Sequence, residues 1–269
     1  MTDFLSIETY DADAGDPGAM DRLRGGETGA IVLRGVYPQA ALAALPPRLE
    51  ANAPGFVKTT FPPAFHAYFY GINLNLAAAD LDPYFAAEPA FRERLAALDL
   101  GGAPLEERVC GLLSQLDNGR PYAAAPGPQA GERHFFTTIR AHETGGYIPP
   151  HFDNEAALRP TYRHIARLCE PEIYSFVLCL DQAEAGGALE VYDLTSEQHR
   201  DLRNLDGSRK PDLSQVAKTS IRLAPGEMVV LHSSRYLHGV QRVEGARTRW
   251  TVCSFMARAR DGDAVYAWG

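Results

Sequence analysis

Gly145-Gly146-Tyr147-Ile148-Pro149-Pro150-His151-Phe152-Asp153 is the stretch on which the reading of this chain turns. The paired glycines permit a tight turn, and the residues before each proline are biased to extended backbone. On an extended segment, side chains two apart point to the same side, so the His151 imidazole and the Asp153 carboxylate can converge on one ion. Alone, His-x-Asp is a weak signal. With 8 histidines and 34 acidic residues in the chain, one chance occurrence is unremarkable, so its surroundings must decide.

Upstream, Phe135 to Arg140 reads as a strand. Downstream, Ile173 to Leu180 reads as a buried strand, and Gly186-Gly187 turns into Ala188 to Tyr192, which alternates as a half-exposed strand does. Ser196 to Leu205 reads as a helical insert, with a mobile loop through Gly207 to Pro211. Strands resume at Thr219 to Leu223 and, after the Pro225-Gly226 turn, at Met228 to Leu231. Arg249 to Met256 closes the set. Many short strands separated by Gly/Pro turns indicate a β-sandwich or jelly roll.

A third ligand must come from elsewhere in that core. His238 follows the strand Met228 to Leu231 and precedes Gly239-Val240, where the chain is expected to turn towards the last strand. His232, at the end of Met228 to Leu231, competes for the role. Two histidines and one carboxylate leave three coordination positions open, which suits Fe(II) oxygenase chemistry better than a closed structural zinc site.

The N-terminal part is mixed. Ala30 to Val36 has the apolar run of a short strand, and a short helical stretch from Gln39 is expected to break at Pro46-Pro47. Leu81 to Leu98 and Pro104 to Leu116 carry apolar residues at helical spacing, so two helices are expected there. Asn118 to Gly131, rich in Pro, Gly and Ala, reads as a loop. The expected fold is mainly β with a helical N-terminal layer. Residues 1–269 form one domain, with a helical or mixed part over 1–133 and a jelly-roll core over 134–257.

With 45% hydrophobic and 22% charged residues, the chain has the make-up of an ordinary globule. The net charge of −8 and the lack of any Lys/Arg run argue against nucleic acid or an anionic membrane as partner. Cys110, Cys169, Cys179 and Cys253 are scattered, with no CxxC pair, and read as reduced thiols. No charged-then-apolar leader follows Met1, and no apolar stretch is long enough to span a bilayer, so the expected location is the cytoplasm.

The order of turn, His-x-Asp, strands, distal His and basic final strand resembles the 2-oxoglutarate/Fe(II) dioxygenase superfamily, over residues 134 to 257. That resemblance implies a double-stranded β-helix core of jelly-roll or cupin-like type. It implies Fe(II) held by His151, Asp153 and His238, with 2-oxoglutarate as cosubstrate and O2 as oxidant. The family's arginine, two before a hydroxyl residue, clamps the distal carboxylate of 2-oxoglutarate, and Arg249-Trp250-Thr251 matches it. Arg247, Arg249 and Thr251 share a pleat face, and Arg247 and Arg249 stand nine and eleven residues after His238. Register therefore leaves both arginines open, although the sequence after Arg249 favours it. A guanidinium meets a carboxylate bidentately, and a hydroxyl two residues on faces the same side.

The resemblance further implies an iron(IV)-oxo oxidant that abstracts hydrogen from a small molecule and leaves it hydroxylated. Freestanding halogenases of the same superfamily carry Gly or Ala in place of the carboxylate, which frees a site for chloride. Asp153 therefore favours hydroxylation. The context of His151-Phe152-Asp153-Asn154-Glu155 is similar to that of bacterial hydroxylases of free or N-modified amino acids. For such a substrate, Arg140 and Arg159 are placed to meet a carboxylate, and Asn154 to orient the metal ligands. The aromatic cluster Phe65 to Tyr70 either lines the pocket mouth or is core. His66, His134, His142, His164 and His199 read as structural or solvent-facing. Desaturation or cyclisation on the same iron core, and a non-catalytic cupin-type binding protein, are the competing functions.

Overall fold

The computed structural model describes residues 4–153, 159–198 and 213–269. Its strands in chain order begin with β1 (Ile7–Asp11), β2 (Ala30–Arg34), β3 (Lys58–Thr60), β4 (Ala67–Tyr70), β5 (Tyr122–Ala124), β6 (Thr138–His142) and β7 (Ile148–His151). There follow β8 (Tyr174–Asp181), β9 (Ala185–Gly186), β10 (Leu189–Thr195), β11 (Lys218–Ile221), β12 (Met228–Leu231), β13 (Tyr236–Val240), β14 (Val243–Glu244), β15 (Arg249–Arg258) and β16 (Val265–Trp268).

Among the described residues these strands form a ten-stranded sheet, a four-stranded sheet and a two-stranded ribbon. The large sheet runs β1-β2-β12-β8-β15-β6-β4-β3, with β16 beside β15 and β5 beside β16. The small sheet runs β11-β10-β13-β7, and β14 pairs with β9. The fold is mostly β, built of several sheets, with helices in its N-terminal part.

Alternation along the strands assigns the two faces of the large sheet. One face carries Ala30, Val32, Cys179, Val229 and Leu231, which pack on Leu189, Val191 and Ile221 of the small sheet. The opposite face carries Ile31, Leu33, Phe176, Leu178, Val230, Trp250 and Val252, which share the main core with the helices. Trp250 stacks on Tyr70 with ring centroids 5.7 Å apart and lies edge-on to Tyr68. Those two tyrosines of the expected aromatic cluster are therefore core, whereas Phe65 is half-buried at a cavity rim.

The helices sit close to their expected places. Asp82–Ala96 buries Tyr84, Phe85, Glu88, Phe91 and Leu95, and Leu105–Leu116 buries Leu105, Val109, Leu112, Leu113 and Leu116. Pro46 and Pro47 do not break a helix. They occupy the first turn of a second one, Leu45–Glu50, where a missing N–H is harmless. The N-terminal part contributes more strand than expected: β1 to β5 all join the large sheet. At the other end, β16 extends the set beyond Met256. All four cysteines are free. Of the expected insert, residues 196–198 are helical, and the rest, with the loop through Pro211, lies outside the described residues. Among the described residues, no helix is long and apolar enough to cross a membrane.

Candidate metal centre

His151, Asp153 and His238 offer one ligand atom each, all within 4.8 Å of one another. Two antiparallel strands of the small sheet create this. β7 pairs with β13 in a register that sets His151 directly across from His238, with ring centroids 4.5 Å apart. β7 can contain Pro149 and Pro150 because it is the edge strand of its sheet, where an absent N–H breaks no ladder. Gly239 lets the strands close up here. A Cβ on it would lie 2.9 Å from the Ile148 carbonyl oxygen and 3.2 Å from the Pro150 nitrogen.

Both imidazoles are oriented in the same manner. His151 Nδ1 lies 2.9 Å from the Pro149 carbonyl and His238 Nδ1 lies 3.0 Å from the Tyr236 carbonyl. A carbonyl only accepts, so each Nδ1 carries the proton, and each Nε2 presents its lone pair to the common point. Asp153 Oδ1 lies 3.4 Å from His151 Nε2, and Oδ2 lies 3.7 Å from His238 Nε2. The Asp153 amide donates to the Ser233 carbonyl and holds the carboxylate in place.

Electrostatics keep Asp153 and His238 ready for a cation. Burial pushes the Asp153 carboxyl up, but His238, His151 and Ser233 outweigh it and hold it below the ordinary carboxylate value. Burial, reinforced by His151, pulls His238 down to about 4. A buried carboxylate facing two imidazole nitrogens, its Oδ2 without a hydrogen-bond partner, has the donor set of a divalent metal site with an open face.

His232 is not part of this cluster. It is buried against Tyr174, with centroids 4.4 Å apart, and hydrogen-bonds the backbone at Leu23. His238, expected after the strand Met228 to Leu231 and just before a turn, sits in the middle of β13. The chain does not turn at Gly239, whose missing Cβ serves the close approach of β7.

The three ligand candidates open on a cavity of roughly 360 Å³ whose walls include Ile148, Val177, Leu189, Val229, Val240 and Cys253. A separate small cavity of roughly 30 Å³, which shares Arg140, Val177, Leu189, Val229, Val240 and Cys253 with the first, is lined in addition by Arg249 and His142. Arg249 opens β15, is 4% exposed, and has an unpartnered Nε. Among the described residues no carboxylate pairs with it, and burial lowers its pKa. An unpaired guanidinium in such surroundings calls for an incoming anion.

Arg247 does not share that face. The strand begins only at Arg249, and Arg247 is exposed, 3.9 Å from Asp181, as a surface ion pair. Thr251 is fully buried, its hydroxyl 3.6 Å from Cys253 Sγ. Arg140 lines the cavity with its guanidinium over the Phe69 ring, 5.1 Å from the centroid. Arg159 stands at the mouth and donates to the Asn75 carbonyl. Asn154 and His199 lie outside the described residues.

Sequence reasoning missed His142. The expected strand ended at Arg140, two residues short, so the alternation that puts Arg140 and His142 on one face went unread. His66 is exposed, while His134 and His164 stack on each other away from the cavity. Phe61 and Phe65 at the rim, 4.8 Å apart, also escaped notice as a pair.

The family model described as carrier-protein-independent halogenase WelO5 matches residues 1–269. Among solved structures, an N-substituted L-amino acid dioxygenase from Burkholderia ambifaria AMMD superposes with a TM-score of 0.59 at 17% identity. The match covers 95% of this chain and 92% of that one. The same enzyme in complex with alpha-KG gives 0.58 at 18% identity, over 93% and 90%. The non-heme alpha-ketoglutarate-dependent epimerase SnoN from nogalamycin biosynthesis gives 0.50 at 14%, over 90% and 84%. No curated protein gives a significant sequence match.

Proposed function

Since the chain belongs to the WelO5 family of carrier-protein-independent halogenases, within the 2-oxoglutarate/Fe(II) oxygenases, we propose that this member hydroxylates a small molecule and does not halogenate it. The observation that carries the proposal is Asp153. In the halogenases the corresponding residue is Gly or Ala and chloride takes the vacant position. Here a buried carboxylate converges with His151 and His238 on one point.

Fe(II), 2-oxoglutarate and O2 are the cofactors of this enzyme class. When bound, they supply the oxidant that attacks a substrate C–H bond. In our reading His151, Asp153 and His238 hold the iron, and Arg249 clamps the distal carboxylate of 2-oxoglutarate with Thr251 packed beside it. The apolar wall of Val177, Leu189, Val229 and Val240 keeps water from the space between. Residues 1–269 act as one catalytic unit around a double-stranded β-helix core.

The substrate class is an amino acid or derivative with one free carboxylate. Arg140 inside the cavity and Arg159 at its mouth supply two cationic groups, and among the described residues Asp153 is the one acid in the lining. Phe61 and Phe65 offer apolar surface for an N-acyl or aliphatic portion.

Anaerobic titration with Fe(II) and 2-oxoglutarate is expected to give the weak visible charge-transfer band of a chelated keto acid. Aerobic incubation with N-acyl amino acids and chloride is expected to release succinate and a product heavier by one oxygen. A chlorinated product, or no band, overturns the reading.

A further inference from the structure

His142 stands opposite Arg249 in the β6–β15 ladder, and both side chains line the small cavity whose wall shares Arg140, Val177 and Cys253 with the larger one. Its ring is 1% exposed, and neither Nδ1 nor Nε2 has a hydrogen-bond partner. Buried polar groups in folded proteins are normally satisfied, and an orphaned pair on one ring, at the wall of a cavity, marks a position completed by a ligand. No acid among the described residues lines this small cavity, and the neighbouring arginines, Arg249 and Arg140, are donors only. The missing partner of a ring N–H must therefore be an acceptor that enters the cavity.

We propose that His142 donates a hydrogen bond to the distal carboxylate of 2-oxoglutarate, beside Arg249, and thereby selects a keto acid that ends in a carboxylate. The proposal rests on the reading above that Arg249 clamps the cosubstrate. Burial, with Arg249 and Arg140 close by, keeps the imidazole neutral, so it adds a directed donor without a second full charge. A carboxylate offers about four lone-pair sites, enough for a guanidinium fork and one imidazole N–H together. Arg249 supplies the charge and His142 supplies direction.

The test is calorimetric binding of 2-oxoglutarate to the anaerobic Fe(II) protein, run beside 2-oxovalerate, which has a methyl group in place of the distal carboxylate. His142→Phe is expected to weaken 2-oxoglutarate by about tenfold or more, as removal of a hydrogen bond to a charged group does. It should leave 2-oxovalerate unchanged and the charge-transfer band in place. His142→Gln, which keeps a donor, should recover most of the loss. An equal loss for both keto acids, or a well-folded His142→Phe that binds 2-oxoglutarate as the wild type does, overturns the proposal. Arg249→Met separates the two levels of inference. If it fails to weaken 2-oxoglutarate, the clamp reading falls; if it weakens binding while His142→Phe does not, only the role of His142 falls.

Discussion

Gly187 lies so close to Arg249 that an added Cβ would stand 2.8 Å from its Cδ and 3.4 Å from its Nε. Its φ of +66° is, besides, a backbone conformation that glycine adopts freely and L side chains resist. The Gly186-Gly187 turn thus does more than reverse the chain. It leaves room for the Arg249 side chain at the wall of the small cavity.

Gly187→Ala is therefore expected to displace Arg249 and to strain the turn. The half-saturating concentration of 2-oxoglutarate should rise by about tenfold or more, with a loss of about 1–2 kcal/mol of stability. Succinate-release kinetics and denaturant unfolding read the two effects separately. Unchanged 2-oxoglutarate dependence would show that Arg249 does not need this space.

Arg249 itself is a buried charge without an acid partner among the described residues. Taking an ion out of water carries a desolvation penalty of several kcal/mol, which a charge without a partner does not recover. Arg249→Met is expected to melt higher than the wild type without cosubstrate, yet to lose the further rise that 2-oxoglutarate confers. At a hundredfold excess over its dissociation constant, a ligand contributes about 2.7 kcal/mol. Differential scanning calorimetry with and without 2-oxoglutarate measures both. A variant that melts lower and still responds would contradict the assignment.

Most of the β core was legible because turn glycines and prolines bracket it: Met228 to Leu231 is bounded as expected, and Ile173 to Leu180 is displaced by one residue. His151 and Asp153 were legible together because period-two alternation is a local property, whereas His238 followed from its place after Met228 to Leu231 and from the family pattern. What stayed hidden depends on partners distant in sequence. β3, β4 and β5 are short segments whose strand character comes from pairing, β3 with β4, β4 with β6 and β5 with β16, not from their own periodicity. A turn was expected at Gly239-Val240 because glycine is a turn signal, when Gly239 serves the approach of β7 inside a continuous strand. The two arginines could not be separated until the start of β15 was fixed at Arg249.

His134 gives the fold a pH dependence. It is fully buried between Tyr84, Phe85 and His164, and burial with the neighbouring His164 lowers its pKa from 6.5 to about 3. The unfolded chain takes up this proton near pH 6.5 while the folded chain refuses it. The associated stability is therefore fully present above pH 6.5 and drains away as pH falls towards 3, at about 1.4 kcal/mol per pH unit. Unfolding free energies measured between pH 7 and pH 4 should fall less steeply in His134→Phe, by close to one proton. Parallel slopes in the two proteins would show that His134 does not bind its proton differently on folding.

Asp153→Gly tests the centre of the functional reading. The substitution removes the one carboxylate of the His151-Asp153-His238 cluster and leaves both histidines held through Nδ1 by the Pro149 and Tyr236 carbonyls. Those two nitrogens and the chelating keto acid still supply four ligand atoms, so iron and 2-oxoglutarate should remain bound, and the anaerobic charge-transfer band should persist with reduced affinity. Hydroxylation should fall by at least about a hundredfold, more than the loss typical of altering a group that merely orients a ligand. Mass spectrometry of the products in chloride buffer then asks whether the vacated position admits a halide, as it does in the halogenases of the family. A variant that hydroxylates at the wild-type rate would show that Asp153 is not a ligand, and would remove the ground for separating this chain from its halogenating relatives.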